Sequence, residues 1–506
     1  MSSSSRTRLG RHLGWLATLA IFVNGLALAQ GDQPQSGRSN VPKTQDQATE
    51  TTVPEGRSAV EFYRDGVRTD EDLWRLPDEG AQYPVDPVER LEPLLEFGDP
   101  FLGSGPISPG IKTPTGQMLQ PWFLLFGTFR SAFQSFESGD VNTIEWANRL
   151  DLHGNLNLSG TERLLFSMRP IDRETGGYTG YNFESDEDQG WQEDFNARLT
   201  QLYFEGDFGE IFPGLDPTDS RAFDVGFSIG RQPVLIQDGL LLNDIIDMVG
   251  ITRNSLVFEG VSNLRMTGVF GWNHINRGNN DLGDNNNDHA AHLFGLFSEA
   301  DTAWDNTIAL DFVYVDDDRD GNGWYAGAAS TQRFGGLNTT FRVTGSIPEG
   351  DETPTVGRGV LLLSQLSGTL PGSDSVAYFN TFWNIGRFTS AARSPDQGGP
   401  LANLGILYGP VGMGRYGVPL GQPIDDTIGM AIGYQTFLGG IDGQVILELG
   451  ARTSTKGERD EGVLGVGARY QRAIGKRHVL RLDSFVAGQE GDGPSYGLRM
   501  EWMIKF

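Results

Sequence analysis

Arginine side chains recur at alternate positions in several segments, and their guanidinium groups could bind carboxylate or phosphate groups of a solute. Because successive side chains of a β-strand point to opposite faces, such arginines would line one side of a wall. They predict a surface that prefers anions. The alternative is that they pair with carboxylates of the same wall and only stiffen it. The candidate pore-lining residues are Arg149, Asp151, Arg265, Arg342, Arg452, Arg469, Arg481 and Arg499.

A second group of polar side chains lies in an unusually apolar connection, which we place at 233–250. Loops that are surrounded by water rarely carry this many leucines and isoleucines, so we expect the segment to fold inward. It would then narrow any lumen that the neighbouring strands enclose. The candidate constriction residues are Gln237, Asp238, Asn243, Asp244 and Asp247.

A third group is an aspartate run that resembles the start of a calcium-binding loop. Asp316, Asp318, Asp320 and Gly321 match the pattern D-x-D-x-D-G. The position that should hold a bidentate glutamate is Gly327, so the predicted site is incomplete. Calcium at an outer loop is therefore the one cofactor that the sequence suggests, and we expect no other.

Histidines give little support for catalysis, because none of them lies in a recognisable serine or zinc constellation. We expect a protein that is not an enzyme. The alternative is a hydrolase, for which His153 beside Asp151 would be the best candidate base.

The elements that position these residues are predicted to be β-strands, and the last segment of the chain is the clearest. Tyr496, Trp502 and Phe506 share one apolar face, while Arg499 and Glu501 share the other. This alternation suits a wall with lipid outside and water inside, and similar segments recur from 121 to 506. Their number, about eighteen and no fewer than about sixteen, predicts an all-β transmembrane antiparallel barrel.

The composition agrees with a barrel. Hydrophobic residues make up 38% of the chain, mean hydropathy is −0.32 and cysteine is absent. After Leu28 no apolar run approaches the roughly 20 residues that a spanning helix needs. The net charge of −27 makes nucleic acid an improbable partner. We expect contacts instead with outer-membrane lipid and lipopolysaccharide, with the barrel-assembly machinery and with a small hydrophilic solute. The lipid-facing pattern allows either a monomer or a homotrimer.

The segments before the barrel are predicted from their composition. Residues 1–29 resemble a signal peptide, with arginines before an apolar run and a small-residue cleavage site; an uncleaved N-terminal anchor is the alternative. Residues 30–57 read as a disordered periplasmic tail. Residues 58–120 are rich in proline and would either plug the lumen or rest on its rim. An even number of strands would leave both termini in the periplasm.

The motif Gly230-Arg231-Gln232, followed by the apolar connection, resembles porin-like outer-membrane channels that include the alginate-export family. The overall strand layout and terminal phenylalanine resemble them too. The resemblance implies passive diffusion or export of small hydrophilic solutes, including anionic ones such as acidic sugars. One departure is that Arg231 lies on the lipid-facing side of its strand, with Phe227 and Ile229. A structural or adhesive surface barrel with a plugged lumen is the alternative.

Overall fold

A computed structural model describes residues 91–98, 110–138, 141–172, 178–184, 189–192, 195–215, 217, 223–277, 287–288, 290–421, 425–440, 442–456, 462–490 and 493–506. The predicted signal peptide (1–29) and tail (30–57) lie outside this part of the chain. In chain order the strands are β1 (Leu95–Phe97), β2 (Ile111–Lys112), β3 (Met118–Leu119), β4 (Trp122–Ser138), β5 (Val141–Asn157), β6 (Arg163–Ile171), β7 (Thr179–Asn182), β8 (Gly190–Gln192), β9 (Leu199–Asp207), β10 (Val225–Ile236), β11 (Leu242–Phe258), β12 (Val261–Asn273), β13 (Ile275–Asn276), β14 (Asn287–Asp288), β15 (His292–Thr302), β16 (Asn306–Asp316), β17 (Gly323–Phe334), β18 (Leu337–Pro348), β19 (Gly359–Thr369), β20 (Val376–Gly386), β21 (Ala392–Arg393), β22 (Thr427–Leu438), β23 (Gly443–Ser454), β24 (Val463–Ile474), β25 (His478–Gln489) and β26 (Pro494–Lys505). The helix α1 is Phe208–Ile211, and 3-10 turns are Pro213–Leu215, Pro395–Gln397, Pro400–Asn403 and Pro419–Gly421.

Eighteen of these strands form a closed antiparallel barrel, which confirms the predicted fold class. The last strand β26 pairs with the first barrel strand β4, so that Lys505 lies opposite Thr128 and Tyr496 opposite Glu137. Closure leaves no free edge between the first and last barrel strands along this stretch. The barrel strands are β4, β5, β6, β9, β10, β11, β12, β15 to β20 and β22 to β26.

Burial alternates along the strands, as the sequence predicts. On β26, Leu498 and Met500 are 69% and 54% exposed on the outer face, whereas Arg499 and Glu501 are buried inside. Polar side chains point into the lumen, where they can bind one another or water. Apolar side chains on the outer face would be unfavourable in water and are favourable in lipid.

Aromatic side chains form a row across the outer face of four neighbouring strands. Phe270, Phe294, Tyr314 and Trp324 lie opposite one another in the register from β12 to β17. Their successive ring centroids are 5.1, 6.4 and 4.3 Å apart. Such rows are typical of barrel surfaces at a boundary between lipid and water.

The described part of residues 58–120 contacts the end of the barrel that carries Phe506, here called the terminus end. Strand β1 pairs with the start of β4, where Leu95 lies opposite Leu125. The Gln120 amide donates to the Leu158 carbonyl at 2.8 Å. These contacts of the described residues lie at the rim, and the choice between a plug and a segment resting on the rim stays a prediction.

The opposite end, here called the loop end, carries the longer connections, and two of them fold inward with apolar cores. One core surrounds the β10–β11 hairpin and includes Leu241, Ile246 and Leu293. The other surrounds the connection from β20 to β22 and includes Leu407 and Leu420. No helix among the described residues is long and apolar enough to cross a membrane.

Candidate functional site

The first inward element is the end of the β10–β11 hairpin, here called the inner hairpin (233–246). The predicted loop bounds of 233–250 are wrong, because β10 continues to Ile236 and β11 begins at Leu242. A tight turn joins them, with positive φ angles of 55° at Gln237 and 50° at Asp238. Two positive φ angles in succession are typical of the hairpin turn that matches strand twist. They are unfavourable for residues other than glycine.

The tip of the inner hairpin contacts lumen-facing side chains of other strands. The Gln237 side-chain amide donates to Asp311 Oδ2 on β16 at 2.6 Å. Arg342 on β18 donates to Gln237 Oε1 at 2.9 Å and to Asp238 Oδ2 at 2.6 Å. Gly327 on β17 leaves room for Gln237, because a Cβ there would lie 2.7 Å from the Gln237 side chain. Gln237 and Asp238 therefore lie inside the barrel, and the Asp238 side chain is 58% exposed.

The other predicted constriction residues have different positions. Asp244 is buried, and its carboxylate accepts from Asn276 at 2.8 and 2.6 Å. Asn243 donates to Gln397 Oε1 at 3.3 Å. Asp247 alternates with the buried residues of β11 and lies on the outer face, paired with Arg231 at 2.8 Å. The assignment of Asp247 to the constriction is wrong, because Asp247 belongs to β11 and the alternation of that strand turns its side chain to the outer face.

The second inward element, here called the inner loop (387–421), packs on the lumen side of β22 to β26. Glycines on those strands make the space for it. Leu407 lies within 3.0 Å of where a Cβ of Gly450 would be and within 2.6 Å of that of Gly467. Any larger side chain would meet this leucine, so wall and loop fit as a packed core does.

Two wall carboxylates bind backbone amides of the inner loop. Glu448 on β23 accepts from the amides of Ile406 and Leu407, each at 2.8 Å. Glu145 on β5 accepts from the Arg415 amide at 2.5 Å and from the Arg415 guanidinium at 3.2 Å. The inner loop thus follows the lumen side of the wall from β23 to β5, along the consecutive strands β24, β25, β26 and β4.

The inner hairpin and inner loop meet along a seam of polar contacts. Strand β21 of the loop pairs with the start of β11, and the Ser390 hydroxyl donates to the Leu240 carbonyl at 2.6 Å. Asn403 donates to the Asp238 carbonyl. Arg393 is buried and donates to the Gly239 carbonyl of the inner hairpin. The seam joins the two elements and leaves the Asp238 carboxylate exposed.

A buried arginine holds the connections of the loop end together. Arg277 pairs with Asp317 at 3.0 Å and donates to the carbonyls of Ala391 and Gly321 at 2.5 and 2.9 Å. Burial acts to lower the pKa of the Arg277 guanidinium, but Tyr325 and Asp317 outweigh burial and hold that pKa above its ordinary value. Arg277 is therefore a charged brace for the inner loop.

Beside the inner loop the lumen wall carries six arginines and three carboxylates, here called the arginine band. Arg499 donates to Glu501 at 2.7 Å and to Asp483 at 3.2 Å. Arg469 and Arg481 also contact Asp483, at 2.6 and 2.9 Å. Within this set the excess is three positive charges. With Arg452, Glu145 and Glu448, which also contact the inner loop, the wall carries seven arginines against five carboxylates, an excess of two. The members of the arginine band are Arg130, Arg149, Arg169, Arg469, Arg481, Arg499, Asp151, Asp483 and Glu501.

The arginine band also touches the inner loop. Arg130 donates to the Val411 carbonyl at 2.9 Å, and Arg149 donates to the Gly412 carbonyl at 2.7 Å. Arg149 and Arg169 share one carboxylate of the band, at 2.8 and 2.9 Å. Arg149 and Arg169 keep 14% and 18% of their side-chain surface exposed, so an anion beside the inner loop could reach them.

Three predicted pore-lining residues lie outside the band. Arg265 faces the lumen near the terminus end, where it pairs with Glu299 at 3.1 Å and remains half exposed. Arg342 is covered by the inner hairpin. Arg452 is buried and donates to the Leu420 carbonyl of the inner loop at 3.3 Å. Arg342 and Arg452 therefore position the inward elements rather than line open space.

The predicted calcium and hydrolase sites do not assemble. No group of three or more acidic or histidine side chains among the described residues could hold a metal ion, so Asp316, Asp318 and Asp320 are not brought together. Asp317 between them binds Arg277 instead. His153 Nδ1 contacts the Ser167 hydroxyl at 2.8 Å. The Asp151 carboxylate that should orient it is held by two arginines.

Several residues of the site escape prediction from the sequence. Arg130 lies in β4, where phenylalanines occupy both faces and hide the alternation. The lumen glycines are a usable signal, because glycine on alternate wall positions indicates that something packs there. The inner loop also gives a signal, since its leucines and tyrosines are as unusual for an exposed loop as those of the inner hairpin.

Together the fold and the site define an eighteen-stranded antiparallel barrel whose lumen is narrowed by two inward elements. Solved porins share this fold. A BenF-like porin from Pseudomonas fluorescens matches at 11% identity and a TM-score of 0.53, covering 76% of this chain and 98% of its own. OccK2 (OpdF) of Pseudomonas aeruginosa matches at 11% identity and a TM-score of 0.52, covering 76% of this chain and 97% of its own. OpdK of the same organism, solved with vanillate, matches at 11% identity and a TM-score of 0.50, covering 76% of this chain and 98% of its own.

Sequence comparison adds nothing to this likeness. No protein-family model matches the chain, and no curated protein matches it. The comparisons therefore support a porin-like barrel fold. They leave the resemblance to alginate-export channels a prediction.

Proposed function

We propose that this chain is an outer-membrane channel through which small hydrophilic solutes with a carboxylate group diffuse passively. The observation that carries the proposal is the arginine band, with its excess of three positive charges beside the inner loop. Guanidinium groups at a constriction lower the energy of a passing carboxylate and raise that of a cation. The direction of diffusion follows the solute gradient.

The outer face supports a membrane location. Apolar side chains and the aromatic row from Phe270 to Trp324 are typical of a surface in contact with lipid. An outer membrane fits a closed barrel with an even number of strands, and both termini of the chain would then lie in the periplasm. Contacts with lipopolysaccharide and with the assembly machinery, and the choice between monomer and homotrimer, remain predictions.

The choice of solute is supported by the residue chemistry and by one similar barrel. OpdK of Pseudomonas aeruginosa was solved with vanillate, which carries a carboxylate. Acidic sugars, suggested by the sequence resemblance, carry the same group. We therefore infer a carboxylate-bearing solute. No catalytic step or cofactor belongs to this proposal.

The test is single-channel conductance of the refolded protein in a planar bilayer under a salt gradient. We expect a stable open conductance and a reversal potential that indicates anion preference. A reversal potential of cation preference would contradict the proposed role of the arginine band. Blocking by added carboxylates, but not by neutral sugars of equal size, would identify the solute class.

A second candidate is a structural or adhesive barrel with a plugged lumen. It is favoured by the two apolar cores, which fill much of the loop end. This candidate predicts no conductance from a preparation whose heat-modifiable migration in electrophoresis shows a folded barrel. The same bilayer experiment therefore separates the two candidates.

A further inference from the structure

We propose that Glu448 and Glu145 are positioning residues that clamp the inner loop against the lumen wall between β23 and β5 and thereby limit the width of the pore. The statement about width rests on the proposed channel function. The clamp itself is a statement about the folded barrel and can be tested without any conductance.

The clamp at β23 is a carboxylate that receives two adjacent backbone amides. Both oxygens of Glu448 are used, one by the Ile406 amide and one by the Leu407 amide, each at 2.8 Å. The Tyr378 hydroxyl donates to the same group. Glu448 is only 2% exposed, so water does not replace these partners while the loop is docked. A carboxylate is suited to this place because it accepts on both oxygens.

The clamp at β5 repeats the arrangement. Glu145 is 3% exposed and accepts from the Arg415 amide at 2.5 Å. It also accepts from the Tyr178 hydroxyl at 2.9 Å and from the Gln134 side-chain amide. As at β23, one buried carboxylate combines a backbone amide of the loop with side-chain donors of its surroundings.

The two anchors hold the inner loop on either side of the segment that touches the arginine band. That segment includes Val411 and Gly412, whose carbonyls accept from two arginines of the band. The clamp therefore also fixes how close the loop backbone lies to the charged wall.

Each anchor faces a glycine of the loop. A Cβ on Gly405 would overlap the Glu448 carboxylate, and a Cβ on Gly414 would lie 2.7 Å from a Glu145 oxygen. The absence of a side chain lets the loop backbone reach each carboxylate. The wall supplies the carboxylate and the loop supplies a glycine that leaves room for it. A loop that only rests on the wall would need neither.

The lumen glycines define what release of the clamp would do. Gly450, Gly465 and Gly467 leave a hollow that Leu407 and Leu420 fill. If the loop left, this hollow would add to the open lumen, and the barrel of eighteen strands is wide enough for an aqueous channel. The lumen beside β23 to β26 is therefore wider when the inner loop is undocked than when the anchors hold it.

The test uses Glu448→Gln, Glu145→Gln and the double variant in the full-length refolded protein. In Glu448→Gln the new NH₂ group faces one of the two backbone N–H groups. In Glu145→Gln it faces either the Arg415 amide or the Arg415 guanidinium and the Tyr178 hydroxyl, so a donor loses its acceptor in both orientations. We expect amide hydrogen exchange of peptides covering 404–416, measured by mass spectrometry, to rise about tenfold in each single variant, since leaving a buried donor unsatisfied costs about that factor. The double variant should exchange faster still, with a larger conductance and faster uptake of neutral sugars by liposomes.

The matched control is Glu349→Gln. Glu349 also accepts from a tyrosine hydroxyl, that of Tyr314 at 2.9 Å, but it is an exposed residue of another connection. The Glu349→Gln variant should have the same hydrogen exchange of 404–416 and the same conductance as the parent protein. Gly465→Leu provides an independent route, because it occupies part of the Leu420 position and lies opposite Gly450, not opposite either carboxylate. It should raise exchange of 404–416 by displacing the loop from its hollow.

The outcomes separate the two statements. Unchanged exchange of 404–416 in both single variants would overturn the clamp, whatever the conductance. Faster exchange with unchanged conductance in a conducting parent would overturn the control of pore width. Faster exchange, together with conductance that appears only in the variants, would support the clamp while contradicting an open channel in the parent protein.

Discussion

The inner loop and the arginine band occupy neighbouring parts of the same lumen but are built in opposite ways. The loop buries leucines against glycines on the wall, as in a protein core. The band keeps six arginines and three carboxylates in contact with one another and with backbone carbonyls. Under the proposed channel function, the contrast assigns two properties of the pore to separate residues: packing would set its width, and charge would set its ion preference.

The largest effect is expected from removing the packed part. Replacing 401–420 with a short glycine and serine linker should raise single-channel conductance several-fold, because the hollow beneath the loop would become open lumen. Anion preference should fall, since the arginines would lie farther from most permeating ions. The heat-modifiable migration of the barrel serves as the folding control. A conductance equal to that of the parent protein would mean that the loop does not set the width.

The next effect is expected from removing charge from the arginine band at two side chains, one of which, Arg149, also donates to the inner loop. Arg149→Gln combined with Arg169→Gln lowers the excess in the band from three charges to one. A unit charge about 4 Å from an ion contributes about 1 kcal/mol at the dielectric constant of water, or about a fivefold change in preference. Reversal potentials should show a loss of at least this size, with little change in conductance. A shift toward stronger anion preference would contradict the assignment.

A smaller effect tests whether the inner loop behaves as a core. Leu407→Ala should lower the free energy of loop undocking by about 2–5 kcal/mol, as large-to-small changes in cores do. Leu407→Met, which conserves volume, should cost less than about 1.5 kcal/mol. Hydrogen exchange of 404–416 measures both. Equal exchange in the two variants would show that volume is not what holds the loop.

The smallest effect is expected at Arg265, which faces the lumen away from both the inner loop and the arginine band. Its pair with Glu299 is exposed, and exposed pairs contribute about 0.2–1 kcal/mol. Arg265→Gln should therefore change the reversal potential much less than the double variant of the band. A shift as large as that of the double variant would extend the selective region to the terminus end.

The barrel can be predicted because its rule is local. Alternation with a period of two fixes which face each side chain takes, so it predicts the correct faces of β26 for Arg499, Glu501 and Trp502. The same rule places the predicted arginines of the band in the lumen. It fails for Asp247 only because the sequence does not show how far β11 extends.

The inward elements cannot be predicted in the same way, because their contacts join residues far apart in sequence. Nothing near Glu448 indicates that it will bind the amides of Ile406 and Leu407. Arg342 and Arg452 have the alternation of lumen residues, yet partners from distant connections cover them. Direction follows from the strand, whereas exposure depends on what folds over it.

The outer wall and the inner loop also differ in their indole content. Trp146, Trp324, Trp383 and Trp502 are exposed on the barrel surface, whereas the inner loop (387–421) contains no tryptophan. The quenching of tryptophan fluorescence by brominated lipid would therefore measure the contact between the barrel surface and the bilayer. The inner loop would contribute no tryptophan fluorescence to that measurement. One tryptophan introduced into the loop would therefore give a separate signal for its movement.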